Sequence, residues 1–155
     1  MKKLKIAQGK FAIVDDEYYE FLSQWNWTFH KLGYAYRTQW HEGKCVSVYM
    51  HRIVNNTPDG MGTDHINGDR LDNRKANLRT CNGSQNSMNR SHREGCSSRH
   101  KGVCWHKRAK KWLAYIKMNG VQKHLGVFIS EQDAALAYNK AALEMFGEFA
   151  LLNEI

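Results

Sequence analysis

Every second residue over 111–118, which read Lys-Trp-Leu-Ala-Tyr-Ile-Lys-Met, is apolar, and the residues between them include Lys111, Tyr115 and Lys117. A period of two residues is typical of a β-strand with one face toward a core. The pair Asn119-Gly120 follows directly and favours a tight type I′ hairpin turn. We therefore expect three antiparallel strands, near residues 101–106, 111–118 and 121–128.

Residues 131–146 follow a different pattern, in which apolar residues are three or four positions apart, as in an amphipathic helix. Ser130 is a typical N-cap, Asp133 occupies the capping-box position, and Gly147 is a typical stop. The predicted packing stripe consists of Ala134, Tyr138, Ala141 and Met145. Its alanines would let the helix approach a sheet closely.

The first sixty residues carry short apolar or aromatic runs divided by turn signals, a pattern that favours a small antiparallel sheet. Strands are predicted at residues 11–14, 25–29, 34–40 and 46–50. The acidic residues 15–17 and the polar residues 55–60 are predicted turns, and Lys31-Leu32-Gly33 is predicted to close a hairpin.

Residues 61–90 show two short strand signals around a polar loop, followed by a helix signal. The predicted elements are a strand that carries Asp64 and His65, a turn at 67–69, a strand at 78–80 and a helix over 83–90. Asn82 is a suitable N-cap for this helix.

A net charge of +8 and a pI near 9.4 favour a polyanionic partner. The excess is concentrated, because residues 91–128 contain nine Lys or Arg and one acid, Glu94. Such a localised basic stretch indicates a binding surface rather than evenly solvated charge. At 155 residues, the chain has room for one compact domain or two small ones.

The cysteines Cys45, Cys81, Cys96 and Cys104 form no C-x-x-C pair, which argues against a zinc ribbon and against a disulfide framework. We expect reduced, mostly buried thiols and no structural zinc. The chain has no long apolar run of membrane-spanning length and no signal-peptide core. These features predict a cytoplasmic protein, in a phage- or bacterium-like intracellular context, with no membrane partner.

Residues 64–86 contain the groups that hydrolysis of a phosphodiester needs. A histidine near its unperturbed pKa of about 6.5 can deprotonate water at neutral pH, and His65 is the candidate. A hard divalent cation can neutralise the phosphate and the leaving oxygen. Mg²⁺ keeps several waters, so a carboxylate such as Asp64 and an asparagine amide oxygen would suffice as protein ligands.

The run Asp-His-Ile-Asn-Gly-Asp-Arg-Leu-Asp-Asn from Asp64, followed by Asn-Leu-Arg-Thr and Ser-Gln-Asn, resembles the His-Asn-His (HNH) homing-type endonucleases. The resemblance implies a ββα-metal finger over about 61–90. It also implies that Asp64 and Asn86 bind the metal, that His65 is the general base and that Asn77 braces the loop.

The upstream run Tyr-Met-His-Arg-Ile-Val resembles the lead-in of the same family. By this resemblance Arg52 is a candidate phosphate contact, whereas His51 is expected to be structural. The pattern in the family name has histidine at its last position, whereas this chain has Asn86 there. The homing-type subgroup tolerates that residue.

A second resemblance covers residues 101–152. Lys-Gly-Val-Cys-Trp, Lys-Trp-Leu-Ala-Tyr-Ile-Lys and His-Leu-Gly-Val-Phe, at 101–105, 111–117 and 124–128, are similar to the ethylene-response-factor (Apetala-type) DNA-binding domain. That resemblance implies a three-stranded sheet in the DNA major groove with a helix behind it. Trp112 would then face the helix.

The same resemblance, together with the basic linker, points to a set of DNA contacts. The candidates are Arg93, Arg99, Lys101, Trp105, His106, Lys107, Arg108, Lys111, Tyr115, Lys117, Gln122 and His124. The plant domains carry arginines that read guanine where this chain has Cys104, Lys117 and Gln122. The difference favours contacts to phosphate over contacts to bases.

The predicted fold class is α+β, with a small N-terminal antiparallel sheet and the HNH finger, then a three-stranded antiparallel sheet packed on one helix. The predicted domains are a nuclease domain at 1–90, a basic linker at 91–100 and a DNA-binding domain at 101–155. The predicted function is a homing-type endonuclease that uses one divalent metal ion, Mg²⁺ or alternatively Mn²⁺, and nicks double-stranded DNA as a monomer or weak dimer. A DNA-binding regulator with a decayed HNH site, and an RNA-binding or RNA-cleaving protein, are the alternatives.

Overall fold

Short antiparallel sheets of two or three strands, joined by loops and a few helices, make up the chain in a computed structural model that describes residues 1–90 and 95–155. These residues fall into two compact units, Met1–Gly83 and Ser84–Ile155. The mixed α and β content agrees with the predicted class. None of the described helices has the length and hydropathy to span a membrane.

The first unit contains three small antiparallel sheets. Its strands are β1 (Lys2–Lys5), β2 (Phe11–Val14), β3 (Thr28–Phe29), β4 (Ala35–His41), β5 (Lys44–Tyr49), β6 (Gly62–His65) and β7 (Leu78–Cys81). Its helices are α1 (Asp16–Ser23) and α2 (Met50–Asn55), with 3₁₀ turns at Ala7–Gly9 and Lys75–Asn77. β1 pairs with β2, β4 lies between β3 and β5, and β6 pairs with β7.

The prediction of a turn at residues 15–17 is wrong, because α1 begins there. Asp16 and Glu17 lie in the first turn of this helix. Carboxylates at that position interact favourably with the positive end of the helix dipole. An acidic cluster after a strand is therefore compatible with a helix start as well as with a turn.

Two further differences concern buried residues. The strand predicted over 25–29 is limited to Thr28–Phe29, because the Trp25 backbone N–H still donates to the Leu22 carbonyl at the end of α1. Trp27 is buried, and its indole N–H donates to the same carbonyl at 2.8 Å. The helix α2 is not predicted, although Met50 and Val54 are four residues apart and both buried.

One apolar cluster holds the first unit together. Its buried members are Leu4, Ile6, Ala12, Val14, Leu22, Trp27, Ala35, Met50, Val54 and Leu78. Burial of one valine, leucine, isoleucine or methionine side chain stabilises the folded state by about 1.5–3 kcal/mol. Helix α2 and strand β7 both contribute to this cluster, so the elements beside the candidate residues pack on the same core as the N-terminal sheet.

The second unit is built from a short helix, a three-stranded sheet and a long helix. These elements are α3 (Gly83–Met88), β8 (Val103–His106), β9 (Lys111–Met118), β10 (Val121–Phe128) and α4 (Glu131–Phe146), where Gly83 is also the last residue of the first unit. Strand β9 lies in the middle of the antiparallel sheet. Both Asn119 and Gly120 have positive φ, at 49° and 83°, as a type I′ turn requires.

Helix α4 packs on the sheet through small residues. Ser130 caps it and accepts a hydrogen bond from the Gln132 backbone N–H at 3.2 Å, as predicted. The buried helix residues are Ala134, Ala135, Tyr138, Ala142 and Phe146. All four residues of the predicted stripe pack on the core: Ala134 and Tyr138 are buried, and Ala141 and Met145 are partly buried against the cluster that contains Tyr138. On the sheet side Ala114 and Ile116 are buried, which agrees with the alternation.

All four cysteines are free, and the expectation that most are buried is wrong. Cys81 is buried, whereas Cys45 and Cys96 are exposed and Cys104 is partly exposed. The predicted DNA contact Arg93 lies outside the described residues. The predicted domain boundary after residue 90 stays a prediction.

Gly102 offers a test of the packing between sheet and helix. It has a φ of +73°, and a Cβ there would lie 2.1 Å from Cδ2 of Tyr138 and 2.5 Å from the Tyr115 carbonyl oxygen. We expect Gly102→Ala to lower the free energy of unfolding by about 3 kcal/mol or more, from overpacking added to backbone strain. Urea denaturation measures the loss.

Gly120→Ala is the matched control. Its φ is +83°, and nothing lies within 4 Å of the position of its Cβ. Gly120→Ala should lower the free energy of unfolding by only about 1 kcal/mol, from backbone strain alone. Equal losses in the two variants would contradict the close approach of Tyr138 to Gly102.

Candidate functional site

Asp64 and His65 are neighbours at the end of β6, where the sequence predicts a strand. In the pairing with β7, Asp64 lies opposite Arg79 and His65 opposite Leu78. Neighbouring strand residues direct their side chains to opposite sides of a sheet. Both side chains are buried, with 5% and 4% of their surface exposed.

The Asp64 carboxylate forms an ion pair with Arg79. Nε and Nη2 of the guanidinium donate to Oδ2 at 2.9 and 2.8 Å. Both side chains are largely buried, and a buried carboxylate is costly without a cation beside it. Arg79 thus supplies positive charge that stabilises Asp64 inside the unit.

The loop between β6 and β7 is organised by side-chain hydrogen bonds. Nδ2 of Asn77 donates to Oδ1 of Asn67 at 2.9 Å and to the Asp72 carbonyl at 2.8 Å. Oδ1 of Asn77 accepts from the Asn67 backbone N–H at 3.0 Å. The Asp72 carboxylate is buried beside Arg74, whose hydrogen bonds hold the pKa of that carboxyl below its usual range. Asn77 therefore joins distant parts of the loop.

Strand β2 holds the other side of this loop. The Ile13 N–H donates to the Leu71 carbonyl, and the Ile13 carbonyl accepts from the Asn73 N–H, both at 2.8 Å. Oδ2 of Asp15 accepts from the Lys75 N–H at 2.7 Å. Since Ala12 and Val14 of β2 belong to the buried core, the loop is tied to the apolar cluster of the first unit.

His65 lies in a group of aromatic rings. Its ring centroid is 5.2 Å from that of His51 and 5.9 Å from that of Tyr34, and its Nε2 is 3.3 Å from Oδ1 of Asn73. Burial lowers the pKa of His65, although the contact with Asn73 and the charge of Asp64 oppose the shift. The expectation of an unperturbed pKa is therefore wrong. At neutral pH the ring is uncharged and can accept a proton.

His51 is a second buried histidine, which the sequence assigns a structural role. It lies on α2 with 7% of its surface exposed, and its ring stacks on Tyr49 at 5.5 Å between centroids. Burial, followed by the proximity of His65, lowers the pKa of His51 to about 3. Its Nδ1 is buried with no hydrogen-bond partner among the residues that the structure describes.

Arg52, the predicted phosphate contact, directs its guanidinium at the turn after α2. Nη1 donates to the Met61 carbonyl at 2.7 Å, and Nη2 to the carbonyls of Pro58 and Thr57 at 3.2 and 3.5 Å. The side chain thus stabilises this turn. Its contact with phosphate stays a prediction.

Asn86, the second predicted metal ligand, lies on α3 at the start of the second unit. Within residues 1–90 and 95–155, no three His, Cys, Asp or Glu side chains form a group that could hold a metal. An ion that keeps most of its waters needs fewer protein ligands. The buried Asp64 carboxylate, already beside a cation, and the Asn86 amide are hard oxygen donors whose chemistry fits such an ion.

The sheet of the second unit has a polar face. Tyr115 pairs with His124 and Lys117 with Gln122, so these side chains share one side of the sheet. The polar side chains predicted to bind DNA that are exposed are Arg99, His106, Lys107, Arg108, Lys111, Lys117, Gln122 and His124. Strand pairing thus brings Tyr115, Lys117, Gln122 and His124 to one face of this sheet.

Two further residues predicted to bind DNA lie elsewhere. Trp105 pairs with Trp112, so it belongs to the side of the sheet that α4 covers, and the two rings meet edge to face at 5.1 Å. It nevertheless remains 38% exposed. The Lys101 ammonium donates to the Met88 carbonyl, and burial lowers the pKa of Lys101 to about 8.

Sequence reasoning missed that His51 and Asn73 lie beside His65. A signal existed for His51, since the apolar spacing of Met50 and Val54 predicts a short helix that would carry His51 into the core. No periodic signal exists for Asn73. Its contact with His65 spans eight residues across an irregular loop.

Comparisons with known proteins identify similarity to one family of enzymes. A family model described as HNH endonuclease matches residues 48–88, a range that contains α2, β6, β7 and α3. A protein of Acanthamoeba polyphaga mimivirus, described as an uncharacterized HNH endonuclease, is 32% identical over 156 residues, which cover 96% of this chain and 78% of that protein. No solved structure matches the chain at a significant level.

The two buried histidines predict how stability depends on pH. Because the folded state lowers the pKa of both rings, the unfolded state binds more protons below about pH 6.5, and stability is lost as pH falls from there toward the folded pKa. Between pH 6.5 and 5, His51 alone should remove about 2 kcal/mol from the free energy of unfolding.

Urea denaturation across this pH range compares wild type with His51→Phe, which fills the space between the rings without a titrating group. The variant should lose stability less steeply as pH falls. His41→Phe, at an exposed histidine, should keep the wild-type slope. Equal slopes for wild type and His51→Phe would show that His51 is not held neutral by the fold.

Proposed function

Because this chain belongs to the HNH endonuclease family and is a nuclease, we propose that it uses a divalent metal to hydrolyse a phosphodiester bond in duplex DNA. One observation carries the proposal: a buried, uncharged histidine, His65, directly follows a buried carboxylate, Asp64, on β6. The first has the properties of a general base and the second those of a hard metal ligand.

In this mechanism, a water molecule attacks the phosphorus, His65 takes a proton from that water, and the 3′ oxygen leaves. The low pKa of His65 keeps the ring unprotonated at neutral pH and hence ready to act. Asp64 and Asn86 would hold the metal ion. HNH endonucleases generally use such an ion, which stabilises the negative charge on the phosphate and the leaving oxygen. Mg²⁺ is the proposed ion, with Mn²⁺ as the alternative.

Asn77 acts on the shape of the loop in this proposal. Its three hydrogen bonds to Asn67 and Asp72 keep the segment after His65 in one conformation. Pre-organisation of this kind lowers the barrier because the reacting groups need no rearrangement. By resemblance, β6, β7 and α3 correspond to the ββα-metal motif of homing-type enzymes.

The second unit is proposed to hold the duplex as an Apetala-type module. Support comes from its three-stranded sheet, which has α4 on one face and exposed polar side chains on the other. Lysine and arginine side chains there would contact phosphates, which position a duplex without reading its sequence. His124 and Gln122 would lie at the same surface.

One active site per chain favours a single-strand cut by a monomer. A cut through both strands would need a dimer or two visits. The resemblance of the motif between Asp64 and Asn86 to the homing-type enzymes supports that type. Membership of a nuclease family makes the DNA-binding regulator with a decayed site the weaker alternative.

Cleavage of supercoiled plasmid in the presence of Mg²⁺ tests the nuclease. Wild type should produce nicked circles, and His65→Ala should slow this by about 100-fold or more, through loss of the general base. Asp64→Asn, which keeps the shape of the side chain, should abolish cleavage while DNA affinity stays nearly unchanged. His41→Ala, at an exposed histidine of the first unit, is the control and should cut at the wild-type rate.

Intact plasmid after incubation of wild type with Mg²⁺ or Mn²⁺, on several DNA sequences, would overturn the proposal. Parallel loss of binding and cleavage in Asp64→Asn would assign Asp64 a structural role instead.

Salt dependence tests the role of the second unit. Binding of duplex DNA, followed by fluorescence anisotropy between roughly 50 and 200 mM salt, should weaken steeply as counterions are released. The double variant Lys111→Ala/Lys117→Ala should reduce the slope of log K against log salt by about two. Lys140→Ala, an exposed residue on α4, should leave it unchanged.

A flat salt response would contradict phosphate binding by this sheet. Stronger competition by single-stranded RNA than by duplex DNA would favour the RNA-binding alternative.

A further inference from the structure

Asn73 is a buried residue whose side chain lies beside the ring of His65. It is fully buried, at 0% exposure. Its Nδ2 donates to the Leu71 carbonyl at 3.2 Å and lies 3.5 Å from Sδ of Met50. These contacts orient the side-chain amide, so that Oδ1 is the atom that faces Nε2 of His65, at 3.3 Å.

The orientation of this amide decides the roles in its contact with His65. An amide oxygen only accepts hydrogen bonds, so Nε2 of His65 must carry the hydrogen. A neutral imidazole has one hydrogen on its two nitrogens, which leaves Nδ1 as the unprotonated atom. The structure thus specifies one tautomer of His65 through the position of one amide group.

Asn73 is itself held from both sides. Its backbone N–H donates to the Ile13 carbonyl on β2 at 2.8 Å. The Leu71 carbonyl, which accepts from the Asn73 side chain, also accepts from the Ile13 N–H at 2.8 Å. A rotation of the amide would break a hydrogen bond in a buried site, where an unsatisfied group costs about 1–3 kcal/mol.

We propose that Asn73 is a positioning residue, which fixes His65 in the tautomer with hydrogen on Nε2 and thereby makes Nδ1 the nitrogen that takes the proton from the attacking water. The tautomer follows from the geometry of the contact with Asn73, whereas the role of Nδ1 toward the attacking water rests on the proposed nuclease function.

Nitrogen NMR of the labelled full chain tests the tautomer directly, because protonated and unprotonated imidazole nitrogens have well-separated chemical shifts. Wild-type His65, identified by comparison with His65→Gln, should show a protonated Nε2 and an unprotonated Nδ1. In Asn73→Leu, which removes the acceptor, the spectrum should change to a mixture of tautomers or to the opposite one. Asn73→Asp retains an acceptor and should keep the wild-type tautomer.

Asn55→Leu is the matched control. Asn55 is a buried amide of the same unit, which bonds to Thr57 and Thr80 rather than to a histidine. This variant loses a comparable set of hydrogen bonds but should keep the wild-type tautomer of His65. A change in both Asn73→Leu and Asn55→Leu would indicate general loosening of the fold and would overturn the proposal.

Plasmid nicking gives the second readout. Asn73→Leu should lower kcat by about 10- to 100-fold, the usual effect of losing a residue that orients a functional histidine, with KM little changed. Asn73→Asp should recover part of that loss, whereas a purely structural role would give no such recovery.

The two proposals can fail separately. Wild-type protein that carries its hydrogen on Nδ1, or an unchanged tautomer in Asn73→Leu, overturns the role of Asn73 whatever the activity. If Asn73→Leu does not fold, the wild-type and Asn73→Asp spectra decide. Wild type that fails to cut DNA but shows the expected tautomers removes the nuclease function and leaves the positioning of His65 intact.

Discussion

Side-chain amides and carboxylates take the place of backbone pairing in the loop between β6 and β7, and the candidate site depends on them. Asn77, Asn67 and Asp72 bond to one another across the loop, and backbone contacts to Ile13 attach it to β2. Buried polar networks stabilise one conformation only when their members are paired. Asp64 and His65, at the start of this loop, owe their surroundings to that pairing.

The first unit buries the Asp64 carboxylate and two titratable rings, His51 and His65, whose centroids are 5.2 Å apart, and it surrounds the charge and the rings differently. Asp64 has a guanidinium beside it, so the carboxylate is accompanied by opposite charge. His51 and His65 pack against aromatic rings, where a positive charge would be poorly solvated, and both remain neutral. The result is a carboxylate next to an uncharged base, a combination suited to hydrolysis near neutral pH.

In the second unit, the two faces of one sheet have different surroundings: one face packs on α4 and the other is exposed. Alanines of α4 and the absence of a side chain at Gly102 allow close packing on one face, so a small unit obtains a core. The other face needs no core residues and carries exposed polar groups such as Lys117 and Gln122. In the proposed function that division leaves the polar face available for phosphates.

The regular spacing of polar and apolar residues and the turn signals were enough to predict the strands and the helix of residues 101–146. They also predicted the strands β6 and β7, with Asp64 and His65 on the first of these. These features depend on local preferences with a fixed period, which a sequence displays directly. Tertiary structure alone decided the rest: Arg79 beside Asp64, His51 and Asn73 beside His65, and the side of the sheet on which Trp105 lies. These contacts join segments whose positions in the sequence have no periodic relation. Burial lowers the pKa values of both histidines, and burial is a property of the assembled core rather than of any one segment.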